Sequence, residues 1–276
     1  MNSQLVEANE QLATVFSHFY CVQLGNQDPP LQQQLLPNYE MLFVFNFGPE
    51  IPISIGTEQY SIGQTAVLGP LQKMLTYELP SGVDVIVVNF TLNGFYRLLR
   101  VPMSELKSED LHNPDVLLNK PCFNDLWNQL ATMTSLSNRL QLISEYTLEY
   151  AAPVEELTRS LMDSISYFRD AAVEPVKVLA EKQHLSTRNI QLRFQTQLGY
   201  SAKELARFLR FKKVLSFLCQ QTDAPVDWLE IVLYYGYHDH SHLIKDFQRY
   251  LNITPRQFVN QLAQGNMCIS KSGKFY

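Results

Sequence analysis

The sequence predicts an α+β protein of two domains. The first is an antiparallel β barrel or sandwich with helices, and the second is an all-α domain with two helix-turn-helix motifs joined by a long helix. Three observations favour this fold class. The chain has 276 residues, enough for two hydrophobic cores. Short β-prone segments crowd residues 40–90, and a helical pattern farther on repeats at a spacing of 53 residues.

Composition is that of an ordinary globular protein. About 46% of the residues are apolar and 18% are charged, which excludes a disordered, collagen-like or coiled-coil chain. No apolar run reaches the roughly 18 residues of a membrane span, and the segment MNSQLVEANEQL lacks the features of a secretory signal. The cysteines Cys21, Cys122, Cys219 and Cys268 form no CxxC pair. We therefore expect a cytoplasmic protein with reduced thiols and no membrane association.

Charge divides the chain into an acidic and a basic part, although the net charge is −5. Residues 1–174 hold 8 Lys/Arg against 20 Asp/Glu, whereas residues 175–262 hold 12 against 7. An acidic module joined to a basic one is typical of a regulator whose basic end meets phosphates. The basic excess is small, so by itself it is weak evidence for nucleic-acid binding.

The N-terminal domain is predicted from short segments rich in β-branched and aromatic residues, separated by Gly and Pro turns. The predicted strands cover 41–47, 51–55, 60–62, 66–68, 74–79 and 83–90. Because side chains alternate between the faces of a strand, some of the aromatic rings are expected to point inward. A barrel of about eight strands can hold one small ligand. An apolar or aromatic effector is one expectation for this domain, and a filled core that serves dimerisation is the other.

Helical periodicity replaces the strand pattern after residue 90. Helices are predicted over 95–99, 123–133, 136–150 and 154–171. In the last one, Leu157, Leu161, Ile165 and Phe168 recur three or four residues apart and form one apolar stripe. Packing of this stripe within the chain is one interpretation, and the seam of a homodimer is the other.

The basic part contains an internal repeat. Ile190 and Phe194 recur 53 positions later as Leu243 and Phe247. Each copy is predicted as a helix, a tight turn and a second helix, over 176–183 and 187–197 in the first copy and over 226–235 and 241–251 in the second. This is the helix-turn-helix pattern, in which the repeated apolar residues hold the second, recognition helix against its partner.

Capping and turn residues support both copies. Ser186 is a natural N-cap for the first recognition helix, and Asp239 or His240 stands near the start of the second. Gly236 suits a left-handed turn, and His184 takes that place in the first copy, where a residue other than glycine is tolerated.

A long helix over 201–220 is predicted between the copies, since Leu205, Phe208 and Leu215 lie on a continuous apolar stripe. Its length of about 30 Å is close to the ~34 Å between successive turns of a DNA groove. A rod of this length could present both recognition helices to adjacent major grooves. An ordinary helical bundle with an internal duplication is the alternative.

Three segments in this part match a known family in order: LAEKQHLSTRNIQLRF, LGYSAKELARFLRFKKVLSFL and YGYHDHSHLIKDFQRYLNITPRQF. On these segments, residues 157–262 resemble the C-terminal DNA-binding domain of AraC/XylS-type transcription regulators. More faintly, residues 15–110 resemble the β-rich, cupin-like regulatory domain found ahead of that module. The resemblance implies sequence-specific binding of double-stranded DNA, as an activator or a repressor, with effector sensing or dimerisation by the N-terminal domain.

Candidate DNA contacts follow from the outward positions of the recognition helices and the basic residues of the long helix. They are Arg188, Asn189, Gln191, Leu192, Arg193, His240, Ser241, His242, Lys245, Arg210 and Lys213. Leu192 is a departure, because the family often has a base-reading arginine there. This departure supports the alternative function, an interaction protein of the same fold that does not bind DNA.

No catalytic, cofactor or metal site is predicted. The alternating His238, His240 and His242 would splay over different faces of a helix start, and no nucleophile triad or phosphate loop is present. RNA polymerase, a small-molecule effector and a second copy of the chain are the other candidate partners. The expected domains are a sensor domain over 1–115, a helical connector with a dimerisation role over 116–156, the DNA-binding domain over 157–262 and a tail over 263–276.

Overall fold

The computed structural model describes residues 2–106, 110–151, 174–220 and 226–263. Its strands are β1 (Asn2–Glu7), β2 (Phe16–Gln23), β3 (Leu31–Leu35), β4 (Leu42–Asn46), β5 (Ile51–Ile55), β6 (Glu58–Ile62), β7 (Thr65–Leu68), β8 (Leu75–Leu79), β9 (Asp84–Phe90) and β10 (Leu111–His112). Its α-helices are α1 (Gly94–Leu99), α2 (Pro114–Leu118), α3 (Cys122–Ala131), α4 (Leu136–Tyr150), α5 (Pro175–Lys182), α6 (Thr187–Leu198), α7 (Ala202–Gln220), α8 (Trp228–Tyr234), α9 (His240–Leu251) and α10 (Pro255–Ala263). No helix within these ranges has the length and apolar character needed to cross a membrane.

Two antiparallel sheets form the N-terminal domain. One has the strand order β1-β2-β9-β4-β7-β10, and the other has the order β3-β8-β5-β6. The six predicted strands are present as β4 to β9. The structure adds β1, β2 and β3 ahead of them and β10 behind, so the predicted β-rich N-terminal domain is confirmed and is larger than expected.

Alternation along the strands gives the larger sheet two buried faces. Phe43 and Phe45 of β4 point to the helical side, where they pack with residues of α1, α3 and α4. Val44, between them, points to the smaller sheet and packs with residues of β5 and β8. Most of the aromatic rings therefore fill the layer between sheet and helices, and aliphatic side chains line the space between the sheets.

The C-terminal domain is all helical, as predicted. Helices α5 and α6 form the first helix-turn-helix motif, α8 and α9 form the second, and the 19 residues of α7 join them. The structure adds α10, which begins at Pro255. The predicted helix over 154–171 lies outside the described residues, as does most of the tail over 263–276.

The turn and cap residues have the predicted geometry. His184 and Gly236 both have positive φ, at 52° and 68°. Ser186 caps α6 by accepting a hydrogen bond from the Asn189 backbone N–H at 3.2 Å. Of the two candidates in the second copy, Asp239 is the cap of α9, since its carboxylate accepts from the His242 backbone N–H at 2.7 Å.

The two domains share one hydrophobic cluster. Leu36, Tyr39 and Leu92 of the N-terminal domain belong to the buried cluster that is otherwise built by the C-terminal helices. The Tyr39 ring stacks on Phe208 of α7, with centroids 3.9 Å apart and planes 4° apart. This contact does not show at which residue one domain ends and the next begins, so the predicted domain limits stay a prediction.

Candidate nucleic-acid interface

The first recognition helix, α6, has a clear inner and outer face. Ile190 and Phe194 are fully buried against the rest of the domain, as the repeat predicts. Its predicted contacts Arg188, Asn189, Gln191 and Leu192 are exposed, and Arg193 is half-buried. Arg188 and Leu192 are four residues apart and therefore lie on one face of the helix.

The second recognition helix, α9, repeats the arrangement. Leu243 and Phe247 are buried, whereas His240, Ser241 and Lys245 are exposed. Ile244 is exposed as well, as the outward positions of the repeat predict, with an exposed fraction of 42%, although it is not among the predicted DNA contacts. Its exposed aliphatic side chain matches that of Leu192, which is 53% exposed. The 53-residue offset pairs Ile244 with the predicted contact Gln191.

His242 is a packing residue of the second motif. It is half-buried, and its ring lies edge-on to Tyr237, with centroids 5.3 Å apart. One Arg210 guanidinium nitrogen lies 3.3 Å from its Nε2. Because arginine only donates hydrogen bonds, Nε2 is the acceptor and the imidazole is neutral. Burial and the Arg210 charge both lower the pKa of His242, which agrees with this state.

Arg210 connects α7 to the turn of the second motif. Besides the contact with His242, its guanidinium donates to the Gly236 carbonyl oxygen at 3.1 Å and lies 4.4 Å from the centre of the Tyr237 ring. The predicted phosphate contact of Arg210 stays a prediction, and it would have to be made by a side chain already held within the protein.

The basic residues of α7 are mostly engaged inside the molecule. Arg207 forms an ion pair with Asp246, and Lys212 is half-buried and interacts electrostatically with Glu40 of the N-terminal domain. Lys203 and Lys213 are the exposed basic residues of α7. The basic pattern of this helix therefore combines side chains at the surface with side chains that interact inside the molecule.

Asp246 is the residue of the second motif that sequence reasoning missed. It is fully buried and accepts hydrogen bonds from the Arg207 guanidinium Nε and, at 3.0 Å, from the Tyr237 hydroxyl. A buried carboxylate is stable only when it is paired. Asp246 therefore ties together the connecting helix, the turn and the second recognition helix.

The relative placement of the two motifs depends on α7. A helix of 19 residues is about 28 Å long at 1.5 Å per residue. Both its ends pack into the same cluster, through Leu205 near the start and Leu218 near the end. The two recognition helices are thus held by one continuous hydrophobic core.

A cavity lies between the two sheets of the N-terminal domain. Its volume is about 200 Å³, and its walls are mostly aliphatic side chains such as Val22, Ile53 and Leu75. The polar lining residues are His18, Tyr20, Asn38, Tyr77 and Asn89. Within the described ranges no group of three His, Cys, Asp or Glu side chains could hold a metal ion. The space is suited to a small organic molecule.

Comparison with family models gives two matches. Residues 179–261 match the model described as "Helix-turn-helix domain", a range that runs from the second half of α5 into α10. Residues 4–112 match a domain of unknown function, DUF6597, which covers the two sheets. No curated protein sequence matches the chain.

Comparison with solved structures finds ToxT and CuxR among the chains that align with this one. The crystal structure of ToxT from Vibrio cholerae O395 has 12% identity and a TM-score of 0.42, over 88% of this chain and 97% of that one. Wild-type ToxT from strain SCE256, described as bound to an unsaturated fatty acid, has 11% identity and a TM-score of 0.42, over 92% and 96%. The AraC-like transcriptional activator CuxR has 8% identity and a TM-score of 0.31, over 74% and 78%.

At TM-scores below 0.5 these alignments show neither a shared site nor a shared ligand. The family match over 179–261 coincides with the paired motifs, their caps and the joining helix. The resemblance found in the sequence is thereby confirmed. The chain carries an AraC-type helix-turn-helix domain behind a β-rich N-terminal domain.

Proposed function

We propose that this protein binds a specific sequence of double-stranded DNA by placing α6 and α9 in successive major grooves, and that its N-terminal domain senses a small effector or mediates dimerisation. One observation carries the first part. Two helix-turn-helix motifs are fixed to one helix of about 28 Å, and the outer face of each recognition helix carries exposed side chains that can bond bases.

The exposed side chains favour direct reading of bases. Arg188 suits guanine and Gln191 suits adenine in the major groove. Leu192 and Ile244 add one exposed aliphatic side chain to each recognition helix, and such a group suits the methyl group of thymine. Leu192 therefore need not weaken DNA binding; it shifts the expected preference at its position from guanine to thymine.

Selection of binding sites from randomised DNA with the purified full chain tests this proposal. We expect one enriched site with two half-sites about one helical turn apart. Affinity for that site should fall steeply with salt, because a protein that neutralises about six phosphates has a log–log slope near −5. Enrichment of no sequence, with binding nearly independent of salt, would contradict sequence-specific DNA binding.

Substitutions on α6 test which residues read bases. Arg188→Ala or Gln191→Ala should cost about 1–3 kcal/mol on the preferred site and blur the preference at one or two base pairs. Lys213→Ala is the control on α7, because its exposed ammonium is suited to phosphate. It should weaken all sequences alike and reduce the salt slope by about one unit. Uniform loss of affinity across a site library for Arg188→Ala would show a phosphate contact instead.

One observation favours the second candidate function, an interaction protein that does not bind DNA. Helix α8 exposes Leu229, Leu233 and Tyr234, with exposed fractions of 57%, 72% and 79%. Adjacent exposed apolar side chains of this size are typical of protein contacts. RNA polymerase and a second copy of the chain are the candidate partners for such a surface. The dependence of DNA affinity on salt concentration, described above, distinguishes the two functions.

A further inference from the structure

Three consecutive residues connect the cavity of the N-terminal domain to the DNA-binding domain. Asn38 lines the cavity, the Tyr39 ring stacks on Phe208, and the Glu40 carboxyl interacts electrostatically with the Lys212 ammonium of α7. All three are buried, with exposed fractions of 5% or less. We call residues 38–40 the connecting segment. It lies between β3 of the smaller sheet and β4 of the larger one.

Asn38 has an unused hydrogen-bond acceptor in a buried position. Its backbone pairs with Leu71 in both directions, at 3.0 and 2.7 Å, which fixes the start of the connecting segment. Its side-chain amide donates to Glu40 Oε2 at 3.4 Å. Its Oδ1 accepts no hydrogen bond from the described residues. A buried polar atom without a partner is costly, so a donor supplied by a ligand would be favourable there.

Tyr39 and Glu40 make the contacts with the other domain. Tyr39 packs between Phe208 of α7 and Tyr200, whose centroid is 4.5 Å away. Glu40 is fully buried, and burial raises the pKa of its carboxyl while the Lys212 ammonium opposes the rise. Burial likewise lowers the pKa of Lys212, and Glu40 opposes that change. A displacement of the connecting segment therefore changes both the aromatic stack on α7 and the electrostatic interaction between Glu40 and Lys212.

We propose that the cavity binds a small, neutral, mostly apolar molecule with one hydroxyl group, which donates a hydrogen bond to Asn38 Oδ1, and that the connecting segment transmits binding to α7. The volume fits, since 200 Å³ exceeds the ~150 Å³ of a cavity that holds benzene. The aliphatic walls disfavour a charged ligand. This inference rests on the effector-sensing role proposed above, and it adds the class of ligand and the residues that transmit its binding to α7.

Phenol and toluene are matched probes, because they differ by a hydroxyl in place of a methyl group. Calorimetric titration of the full chain should show phenol binding about tenfold more tightly than toluene, since toluene leaves Asn38 Oδ1 unpaired. In Asn38→Leu the preference should vanish or reverse. Asn89→Leu is the control, because it changes another asparagine of the cavity wall outside the connecting segment. It should keep the preference for phenol.

Hydrogen exchange reports transmission without requiring DNA. Saturating phenol should change the exchange rate of amides in α7, and Tyr39→Leu should abolish that change while leaving phenol binding within about threefold. Thermal unfolding of each variant without ligand shows that it is folded. A parallel DNA titration of the selected site, with and without phenol, then tests the regulatory effect.

Each outcome is decisive. Equal binding of phenol and toluene, binding of neither, or loss of the preference in Asn89→Leu instead of Asn38→Leu overturns the ligand site. A preference that depends on Asn38 without any change in α7 exchange overturns transmission. A change in α7 exchange in a chain that selects no DNA supports the inference and contradicts the proposed function instead.

Discussion

Arg207→Ala is expected to lower the free energy of unfolding by about 3–5 kcal/mol, because it leaves the Asp246 carboxylate buried without its cation. Asp246 is fully buried, and its remaining partner would be the Tyr237 hydroxyl at 3.0 Å. The loss should appear as a lower urea midpoint followed by circular dichroism. DNA binding should be lost as well, since the same carboxylate holds α9 against α7.

Lys203→Ala is the matched control for this change. Lys203 lies on α7 one turn before Arg207 and is exposed, so its removal should alter stability by less than about 0.5 kcal/mol. The double variant Arg207→Ala, Asp246→Ala should lose less than the sum of the two single variants, because the pair is removed together. Strict additivity, or equal effects of Arg207→Ala and Lys203→Ala, would contradict the importance of the buried pair.

Gly94→Ala is expected to destabilise the N-terminal domain by about 2–3 kcal/mol or more, as overpacking against backbone does. A Cβ at Gly94, the first residue of α1, would lie 1.9 Å from the Val15 carbonyl oxygen and 2.8 Å from Thr91 Oγ1. The same carbonyl already accepts a hydrogen bond from the Thr91 backbone N–H at 2.8 Å. Helix α1 would have to move away from the sheet, and the thermal midpoint should fall by several degrees.

Gly63→Ala provides the comparison in the same domain. A Cβ there meets nothing within 4 Å, and its φ is not in the left-handed range. Its stability should therefore be unchanged or slightly higher, since alanine restricts the unfolded chain. Equal thermal midpoints for Gly63→Ala and Gly94→Ala would show that α1 is not seated as closely as the structure describes.

Local pattern was enough to predict the elements that carry their own hydrophobic signal. The recognition helices followed from the spacing of Ile190 and Phe194 and from the cap at Ser186, all of which act within one or two turns. Helix α10 was missed although its signal was present. The Thr254 hydroxyl accepts from the Gln257 backbone N–H at 3.3 Å, and the Gln257 side chain accepts from the Thr254 backbone N–H at 2.8 Å. This pair is a capping box, which can be predicted from the sequence.

Tertiary context decided the elements that the sequence did not reveal. Strand β3 reads LQQQL, with three glutamines that have no strand preference, and it is a strand because it pairs with β8. The partners of Lys212 and Arg207 were hidden for a related reason. Glu40 and Asp246 are far from them in the chain, so a helix with an exposed basic face and a helix whose basic residues interact with buried carboxylates have the same sequence pattern.

The shared cluster around Tyr39 limits how DNA-binding modules can be exchanged between regulators of this architecture. Leu36, Tyr39 and Leu92 complete a core whose other members come from the C-terminal helices. A chimera joined at the linker alone would bury a foreign surface against Tyr39 or leave its ring in water. An exchange that preserves this core therefore has to transfer the C-terminal helices together with the loop between β3 and β4. If the loop is kept from the original chain, the new C-terminal domain needs aromatic side chains at the places of Tyr200 and Phe208, against which Tyr39 can pack.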